Sequence, residues 1–178
     1  MKYPNLIIGI SCYFHDSAIS VISNDEILYA IQEERLSRIK NDSSFPINAL
    51  KSALSYLDIK ICDVSAFVFY EKPLLKFERI VEGFLQVSPK GFESFKIAFP
   101  EWTNKKFFIK KEIIKNLKMI NKNFEYKDKI FFSEHHLSHL ASSFYPSNFT
   151  KSLLVSIDGV GEIVTTTIAE GVGDKIII

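Results

Sequence analysis

Three short apolar segments fill the first 32 residues of this 178-residue chain, and their spacing limits the folds open to it. Leu6–Cys12, Ala18–Ser23 and Ile27–Gln32 each have the length and apolar content of a buried strand. The Ser-Asn-Asp-Glu segment that joins the second to the third is typical of a tight turn, so we expect these strands to pair as antiparallel hairpins. A chain that begins in this way builds a sheet and not a helical bundle.

Helical and strand patterns alternate after this meander, and the polar segment Glu33–Ser44 that follows it is predicted to be a loop. Helices are predicted at Ile47–Leu57, Leu74–Val87, Lys105–Ile120 and 135–144, and strands at Ser65–Tyr70 and Lys129–Phe132. An antiparallel meander followed by alternating helices and strands makes a mixed α/β sheet flanked by helices. This βββαβα order is the plan of ribonuclease H-like and actin-like lobes.

The strand pattern starts again near residue 151. Ser152–Ile157, Ile163–Ala169 and Lys175–Ile178 repeat the layout of the first three strands. We therefore expect a first lobe at residues 1–150 and the first strands of a second lobe at residues 151–178. Because no covering helix follows these strands, we also expect a truncated piece of a longer protein, inactive and poorly soluble by itself, with Leu153, Leu154 and Ile157 partly exposed.

The charge of the chain disfavours some partners. Lys and Arg number 22 against 21 Asp and Glu, so the net charge of +1 is far below that of a protein that coats nucleic acid or membranes. Residues 71–130 hold 14 basic and 8 acidic side chains, but Arg79 is their only Arg. This distribution favours a solvated, lysine-rich helix face over a nucleic-acid interface.

The compartment is predicted from three features. Cys12 and Cys62 are too few for a disulfide framework, which favours a reducing environment. No apolar run approaches the roughly 18–20 residues that cross a bilayer, and the first residues lack the layout of a signal peptide. We therefore expect a cytoplasmic protein with no membrane partner.

Three of the four His in the chain lie within the five residues His135–His139. The four-residue spacing puts His135 and His139 on one helix face with Cβ atoms roughly 6 Å apart, which suits two ligands of one metal ion. A third ligand is usually a carboxylate, and Asp158 ends the next strand. The alternative is a helix N-terminus with surface His, capped by Ser133.

Two turns between strands carry residues suited to a ligand. Gly159 and Gly161 follow Asp158, and glycines let the backbone bring N–H groups close to phosphate oxygens. The first turn places His15 and Asp16 between two buried strands, so we expect this pair on the same side of the sheet as the metal residues. Each segment can equally be an ordinary solvated turn.

A basic segment follows the third strand. Its cations, Arg35, Arg38 and Lys40, could form a pocket for a phosphate or carboxylate. Glu33 and Glu34 could equally neutralise them in a surface network. The sequence leaves both interpretations open.

Three motifs in combination resemble one known family. They are Gly9-Ile10-Ser11 with Phe14–Ala18, Gln32–Arg35 and Arg38–Pro46; His135–His139 with Ala141–Ser147; and Asp158–Glu162 with Thr165-Thr166. They resemble the nodulation-type O-carbamoyltransferases, whose N-terminal domain is actin-like and similar to that of tRNA threonylcarbamoyladenosine synthases. The motifs span nearly the whole chain.

The resemblance implies that ATP and carbamoyl phosphate are converted to carbamoyl-adenylate, from which the carbamoyl group passes to a hydroxyl of a small molecule. It implies a divalent metal, iron or another ion, held by His135, His139 and Asp158 against nucleotide phosphates. It further implies that His15 and Asp16 are catalytic. Cofactor binding is assigned to Arg35, Arg38, Lys40, Gly159 and Gly161.

Two functional interpretations are open. The chain is either the N-terminal part of such an enzyme or a non-catalytic actin-like lobe that binds a nucleotide or a partner. The expected partners are a small-molecule hydroxyl acceptor, a nucleotide and the remaining part of the same enzyme, and a homodimer is compatible with the exposed strands. A nucleic acid is disfavoured as a partner.

Overall fold

The structure is a computed structural model that describes residues 2–90, 92–93, 95–96, 108–159 and 164–178. The strands in this part of the chain are β1 (Ile7–Ser11), β2 (Ala18–Ser23), β3 (Glu26–Gln32), β4 (Ala66–Phe69), β5 (Ile130–Phe132), β6 (Lys151–Ile157), β7 (Thr166–Val172) and β8 (Lys175–Ile177). The helices are α1 (Glu34–Ser37), α2 (Ile47–Leu57), α3 (Pro73–Val87), α4 (Ile109–Leu117) and α5 (His135–Phe144). The chain divides into two compact units, residues 1–70 with 110–132 and residues 71–109 with 133–178.

The first unit contains a five-stranded mixed sheet in the order β3-β2-β1-β4-β5. β1, β2 and β3 pair antiparallel, whereas β4 pairs parallel with both β1 and β5. Helix α2 packs against β2 and β3. Ile8, Val21 and Phe67 are fully buried in this unit because they alternate with outward residues along their strands. The mixed α/β class with flanking helices, predicted from the order of elements, is confirmed.

Three predicted segments differ from the observed ones. The segment Glu33–Ser44, predicted as a loop, contains the short helix α1. Helix α4 ends at Leu117 and not at residue 120, while residues 105–107 of the predicted helix lie outside the described residues. Strand β7 runs over Thr166–Val172 and not over 163–169, and residue 163 lies outside the described residues.

Glu33 holds the beginning of α2. Its buried carboxylate accepts hydrogen bonds from the backbone N–H of Asn48 at 3.1 Å and of Ala49 at 2.7 Å, and from the Asn48 side-chain amide at 2.7 Å. Pro46 occupies the N-cap position and has no side-chain acceptor, so a residue 15 positions before Asn48 satisfies these donors. The Glu33 carboxylate therefore stabilises the N-terminus of α2 and holds the chain in place where the basic segment begins.

We expect Glu33→Gln to lower the free energy of unfolding by about 1–2 kcal/mol, because an amide cannot accept all three charge-assisted hydrogen bonds. Urea denaturation followed by circular dichroism measures this change. The matched control is Glu125→Gln, whose effect should stay below about 1 kcal/mol because the Glu125 side chain is 83% exposed and lies 3.9 Å from Lys118 Nζ in a weak surface pair. Equal effects of the two substitutions would contradict the capping role.

The second unit carries the antiparallel sheet β6-β7-β8, and α5 packs on one of its faces. Leu140 and Phe144 of α5 are buried against Leu154 and Ala169 of the sheet. An atom added as Cβ at Gly171 would lie 2.6 Å from the Phe144 ring. The missing side chain of Gly171 therefore lets α5 lie close to the sheet.

The opposite face of the same sheet is apolar and exposed. Leu153, Ile157 and Ile168 are 73%, 80% and 62% exposed. Leu154, which was expected to be exposed with them, is buried because it points towards α5. Within the described residues, we find no helix with both the length and the apolarity needed to span a bilayer.

Candidate metal centre

His135, His139 and Asp158 converge in the second unit. The Nε2 atom of His135 lies 2.6 Å from Asp158 Oδ2 and 3.2 Å from His139 Nε2. One ligand atom from each of the three residues lies within 4.8 Å of the other two. The structure thus brings together the three residues that the sequence assigned to a metal.

Two elements position these side chains. Helix α5 begins at His135, and its periodicity puts His135 and His139 on one face. Asp158 directly follows β6, and its backbone N–H donates to Thr165 O at 2.8 Å, which closes the β6–β7 hairpin. The carboxylate is therefore held at a strand end beside the first turn of the helix.

The chemistry of the three donor atoms suits a shared cation. A carboxylate only accepts, so the Nε2–H of His135 donates to Asp158. The same Nε2 atom then has no lone pair to accept a proton from His139, although the two nitrogens are 3.2 Å apart. A cation suits all three atoms at once, because each presents a lone pair when the imidazoles are neutral and unprotonated at Nε2.

The donor set fits a divalent transition metal. Bonds of about 2.0–2.2 Å from nitrogen and oxygen put two ligands of one ion roughly 3 Å apart. The observed separations between His135 Nε2 and its two neighbours, 2.6 Å and 3.2 Å, are close to this value. Two imidazoles and one carboxylate are found with iron and with several other divalent ions.

Desolvation and the neighbouring His135 imidazole lower the pKa of His139 below its ordinary value of 6.5, and Asp158 opposes part of this shift. The lowered pKa keeps the exposed His139 neutral at pH 7. Since the folded-state pKa is below the unfolded-state value, the free energy of unfolding increases as the pH rises towards about 6.5, and this contribution is lost as the pH falls through the folded-state pKa.

We expect the affinity for a divalent cation to fall as the pH falls, with the contribution of His139 to this decline lying below its ordinary pKa of 6.5, because protons compete for His139 only there. Titration calorimetry with Co²⁺ at several pH values measures this dependence. If the affinity for Co²⁺ has already fallen steeply and completely at pH values above the ordinary pKa of His, this result would contradict the lowered pKa of His139.

The surface-histidine alternative requires Ser133 to cap the N-terminus of α5. The structure does not have this cap. Glu134 occupies the N-cap position. The Ser133 hydroxyl donates to the carbonyl of Glu134 at 3.4 Å, and the Glu134 carboxylate accepts from Lys72 Nζ at 2.8 Å. His136 points away from the cluster and is buried, with Nδ1 2.6 Å from Thr167 Oγ1.

His15 and Asp16 lie in the turn between β1 and β2 of the first unit. The Nδ1–H of His15 donates to Asp16 Oδ2 at 2.9 Å, and 62% of the His15 side chain is exposed. Tyr13 and Asp16 have left-handed φ values of 74° and 47°, a conformation that is rare outside glycine and concentrates at functional sites. The expected common side for this pair and the metal residues stays a prediction.

The cofactor-binding assignments fall into three groups. Arg35, Arg38 and Lys40 are exposed, and Arg35 lies 3.6 Å from the Glu34 carboxylate. An added Cβ at Gly159 would have no described atom within 4 Å, so packing within this part of the chain does not require glycine there. Gly161 lies outside the described residues.

Two residues around the cluster were missed by the sequence analysis. Thr167 binds His136, and Gly171 admits Phe144. Both sit on the inner face of β7, where buried positions alternate with exposed ones. Because these inner positions hold Thr, Ala and Gly, apolar periodicity does not reveal them, although their small size is itself a signal of close helix packing.

Comparison with known proteins identifies relatives of this chain. Residues 6–178 match the model of a family described as Carbamoyltransferase N-terminus. An uncharacterized protein of Synechocystis sp., sll1178, is 40% identical over 172 residues, 96% of this chain and 28% of that protein. Nodulation protein NolNO of Sinorhizobium fredii is 26% identical over 165 residues, 92% of this chain and 22% of that protein.

A third relative is an uncharacterized protein of Methanocaldococcus jannaschii, MJ1051. It is 31% identical over 157 residues, 88% of this chain and 23% of that protein. The chain therefore spans less than a third of the length of each of these three relatives.

Proposed function

Because the chain belongs to the carbamoyltransferase family through the N-terminal domain of that family, we propose that it is the N-terminal part of an O-carbamoyltransferase. Carbamoyl phosphate, ATP and water yield carbamoyl-adenylate with release of inorganic phosphate and pyrophosphate. The carbamoyl group then passes to the hydroxyl of a small molecule. The observation that carries this proposal is the convergence of His135, His139 and Asp158. A nucleotide with several phosphates is a substrate that a cation at this position can bind.

The three residues hold the cation, and iron(II) is the ion that we propose for this donor set. When bound, it would supply positive charge that offsets the negative charge of the nucleotide phosphates. His135 and His139 bind as neutral imidazoles through Nε2. Asp158 adds the one negative charge of the set, and its place at the end of β6 keeps it beside the helix.

His15 and Asp16 are proposed to move the proton in the transfer step. The Asp16 carboxylate accepts the Nδ1–H of His15 and so leaves the lone pair on Nε2. In the transfer, the acceptor oxygen forms a bond to the carbamoyl carbon and the bond from that carbon to the adenylate oxygen breaks. His15 Nε2 accepts the proton of the acceptor hydroxyl, and AMP is the leaving group.

Binding of ATP tests the proposal. We expect the 178-residue chain to bind ATP in the presence of a divalent cation and to lose most of this affinity when a chelator is added, as measured by titration calorimetry. Asp158→Asn keeps the shape of the side chain but removes its charge, and it should abolish the dependence on the cation. ATP binding that is absent, or that is unaffected by both the chelator and the substitution, would contradict the proposed function.

Gly159→Ala separates ligand binding from folding. The added methyl has no described atom within 4 Å, so the free energy of unfolding should change by less than about 0.5 kcal/mol. If the backbone at Gly159 approaches phosphate oxygens, the affinity for ATP should fall about tenfold, which is about 1.4 kcal/mol.

The matched control for this substitution is Gly83→Ala in α3, where an added Cβ also has open space. It should leave the affinity for ATP unchanged. Unchanged ATP binding by Gly159→Ala would remove Gly159 from the cofactor-binding residues.

A further inference from the structure

We propose that the hydrogen bond between His136 and Thr167 sets the rotation of α5 and thereby aims His135 and His139 at Asp158. His136 and Thr167 are then positioning residues of the metal centre. This inference rests on the proposed metal site. Its starting observation is the 2.6 Å contact between His136 Nδ1 and Thr167 Oγ1, both in buried side chains.

The direction of His136 determines the directions of the two ligands. With about 100° between successive helical residues, His135 and His139 lie about 100° and 60° to one side of His136. Leu140 and Phe144 lie to its other side, on the face that packs against the sheet. His136 therefore sits at the border between the packed face and the ligand face, where a specific contact controls rotation of the helix most directly.

Thr167 belongs to the hairpin that carries the third ligand. It pairs with Ser156 of β6, two residues before Asp158. The hairpin closes where the Asp158 N–H donates to Thr165 O at 2.8 Å. The hydrogen bond between His136 and Thr167 therefore joins the helix that supplies two ligands to the hairpin that supplies the other, within a few residues of the cluster.

Core packing does not explain a histidine at position 136. The Nε2 atom of His136 is buried and has no hydrogen-bond partner among the described residues. A buried nitrogen of this kind destabilises a protein relative to an apolar side chain of similar size. The histidine thus provides what an apolar residue cannot, which is a directional bond to Thr167.

A small rotation of α5 is enough to spoil the site. The ligand nitrogens lie about 6 Å from the helix axis, so a roll of about 10° moves them by about 1 Å. Metal–ligand distances are held within about 0.2 Å. Apolar contacts such as that of Leu140 with the sheet tolerate such a roll better than a hydrogen bond does, because they have no fixed direction.

Thr167→Val tests this inference, because valine keeps the shape of threonine and removes the hydroxyl. We expect the full 178-residue chain with this change to bind Co²⁺ about tenfold more weakly, as outer-shell substitutions commonly do. The visible absorption of bound Co²⁺ should also change, which reports ligand geometry and not stability. Thr167→Ser keeps the hydroxyl and should restore both properties.

Thr166→Val is the matched control: it makes the same chemical change one residue earlier, at an exposed position of β7. It should leave Co²⁺ affinity and absorption unchanged. If Thr167→Val does not fold, as judged by circular dichroism, the comparison is made between His136→Asn, whose amide can keep the bond, and His136→Leu, which cannot.

Equal affinity and equal absorption for Thr167→Val and the unsubstituted chain would overturn the inference, and so would an equal loss in Thr166→Val. Failure of the unsubstituted chain to bind Co²⁺ would instead overturn the proposed metal site, and this inference with it. Weaker binding and altered absorption in Thr167→Val alone, with recovery in Thr167→Ser, would support it.

Discussion

Replacement of His139 with alanine is expected to weaken binding of Co²⁺ or Fe²⁺ to the chain by about a hundredfold or more. Loss of an outer-shell partner alone commonly costs about 10–100-fold, and His139 supplies one of only three converging donors among the described residues. Because the His139 side chain is exposed, the free energy of unfolding should change little. Titration calorimetry under anaerobic conditions, with metal analysis of the dialysed protein, measures the loss.

The matched control is His15→Ala, which removes an exposed imidazole that is not in this set. Its metal affinity should equal that of the unsubstituted chain. Asp158→Asn should weaken cation binding to a similar extent as His139→Ala, because it removes the only charge among the three donors. If His139→Ala and His15→Ala bind the cation equally well, the three-residue site does not exist.

Gly171→Val is expected to lower the free energy of unfolding by about 3 kcal/mol or more. The first added carbon alone would lie 2.6 Å, 2.6 Å and 2.8 Å from three atoms of the Phe144 ring. That ring is buried against Leu154 and Ala169 and has little space to move. Helix α5 must then lift from the sheet, so the affinity for Co²⁺ should fall as well. Urea denaturation and calorimetry measure the two effects.

A compensating change distinguishes this clash from a general intolerance of β7 to valine. Phe144→Ala opens the space that the side chain introduced by Gly171→Val needs, so the double variant should be more stable than the sum of the two single effects predicts. Gly83→Ala is the control, because its added Cβ lies in open space within a helix, and it should raise stability slightly. Additive effects of the Gly171 and Phe144 substitutions would contradict direct contact.

The parts of the fold that the sequence predicts well are those with local signals. Helices α2 and α5 begin and end where the sequence predicts them, at Ile47–Leu57 and His135–Phe144. Strand β2 also agrees residue for residue. In each case the pattern and its boundary residues lie within one short segment, so no distant contact is needed to define the element.

The parts that the sequence does not predict depend on distant partners. The predicted position of β7 is three residues too early because Gly171, near the end of the strand, carries no apolar signal. The small size of Gly171 is required by Phe144, which is 27 positions earlier in the chain. Glu33 could not be recognised as the acceptor for the first N–H groups of α2 because such acceptors are normally adjacent to their helix, whereas Glu33 is 15 positions before Asn48. His135 and His139 follow from helical spacing, but Thr167 follows only from the register of a hairpin.

The three converging donors come from one stretch of chain, in which His135 and Asp158 are 23 positions apart. A cation held there is a cross-link that closes a loop. By the chain-entropy relation for cross-links, closing a loop of this size lowers the conformational entropy of the unfolded chain, which raises its free energy by about 3 kcal/mol. A bound cation would therefore disfavour the separation of α5 from the β6–β7 hairpin. The second unit should become less sensitive to proteases when the cation is bound.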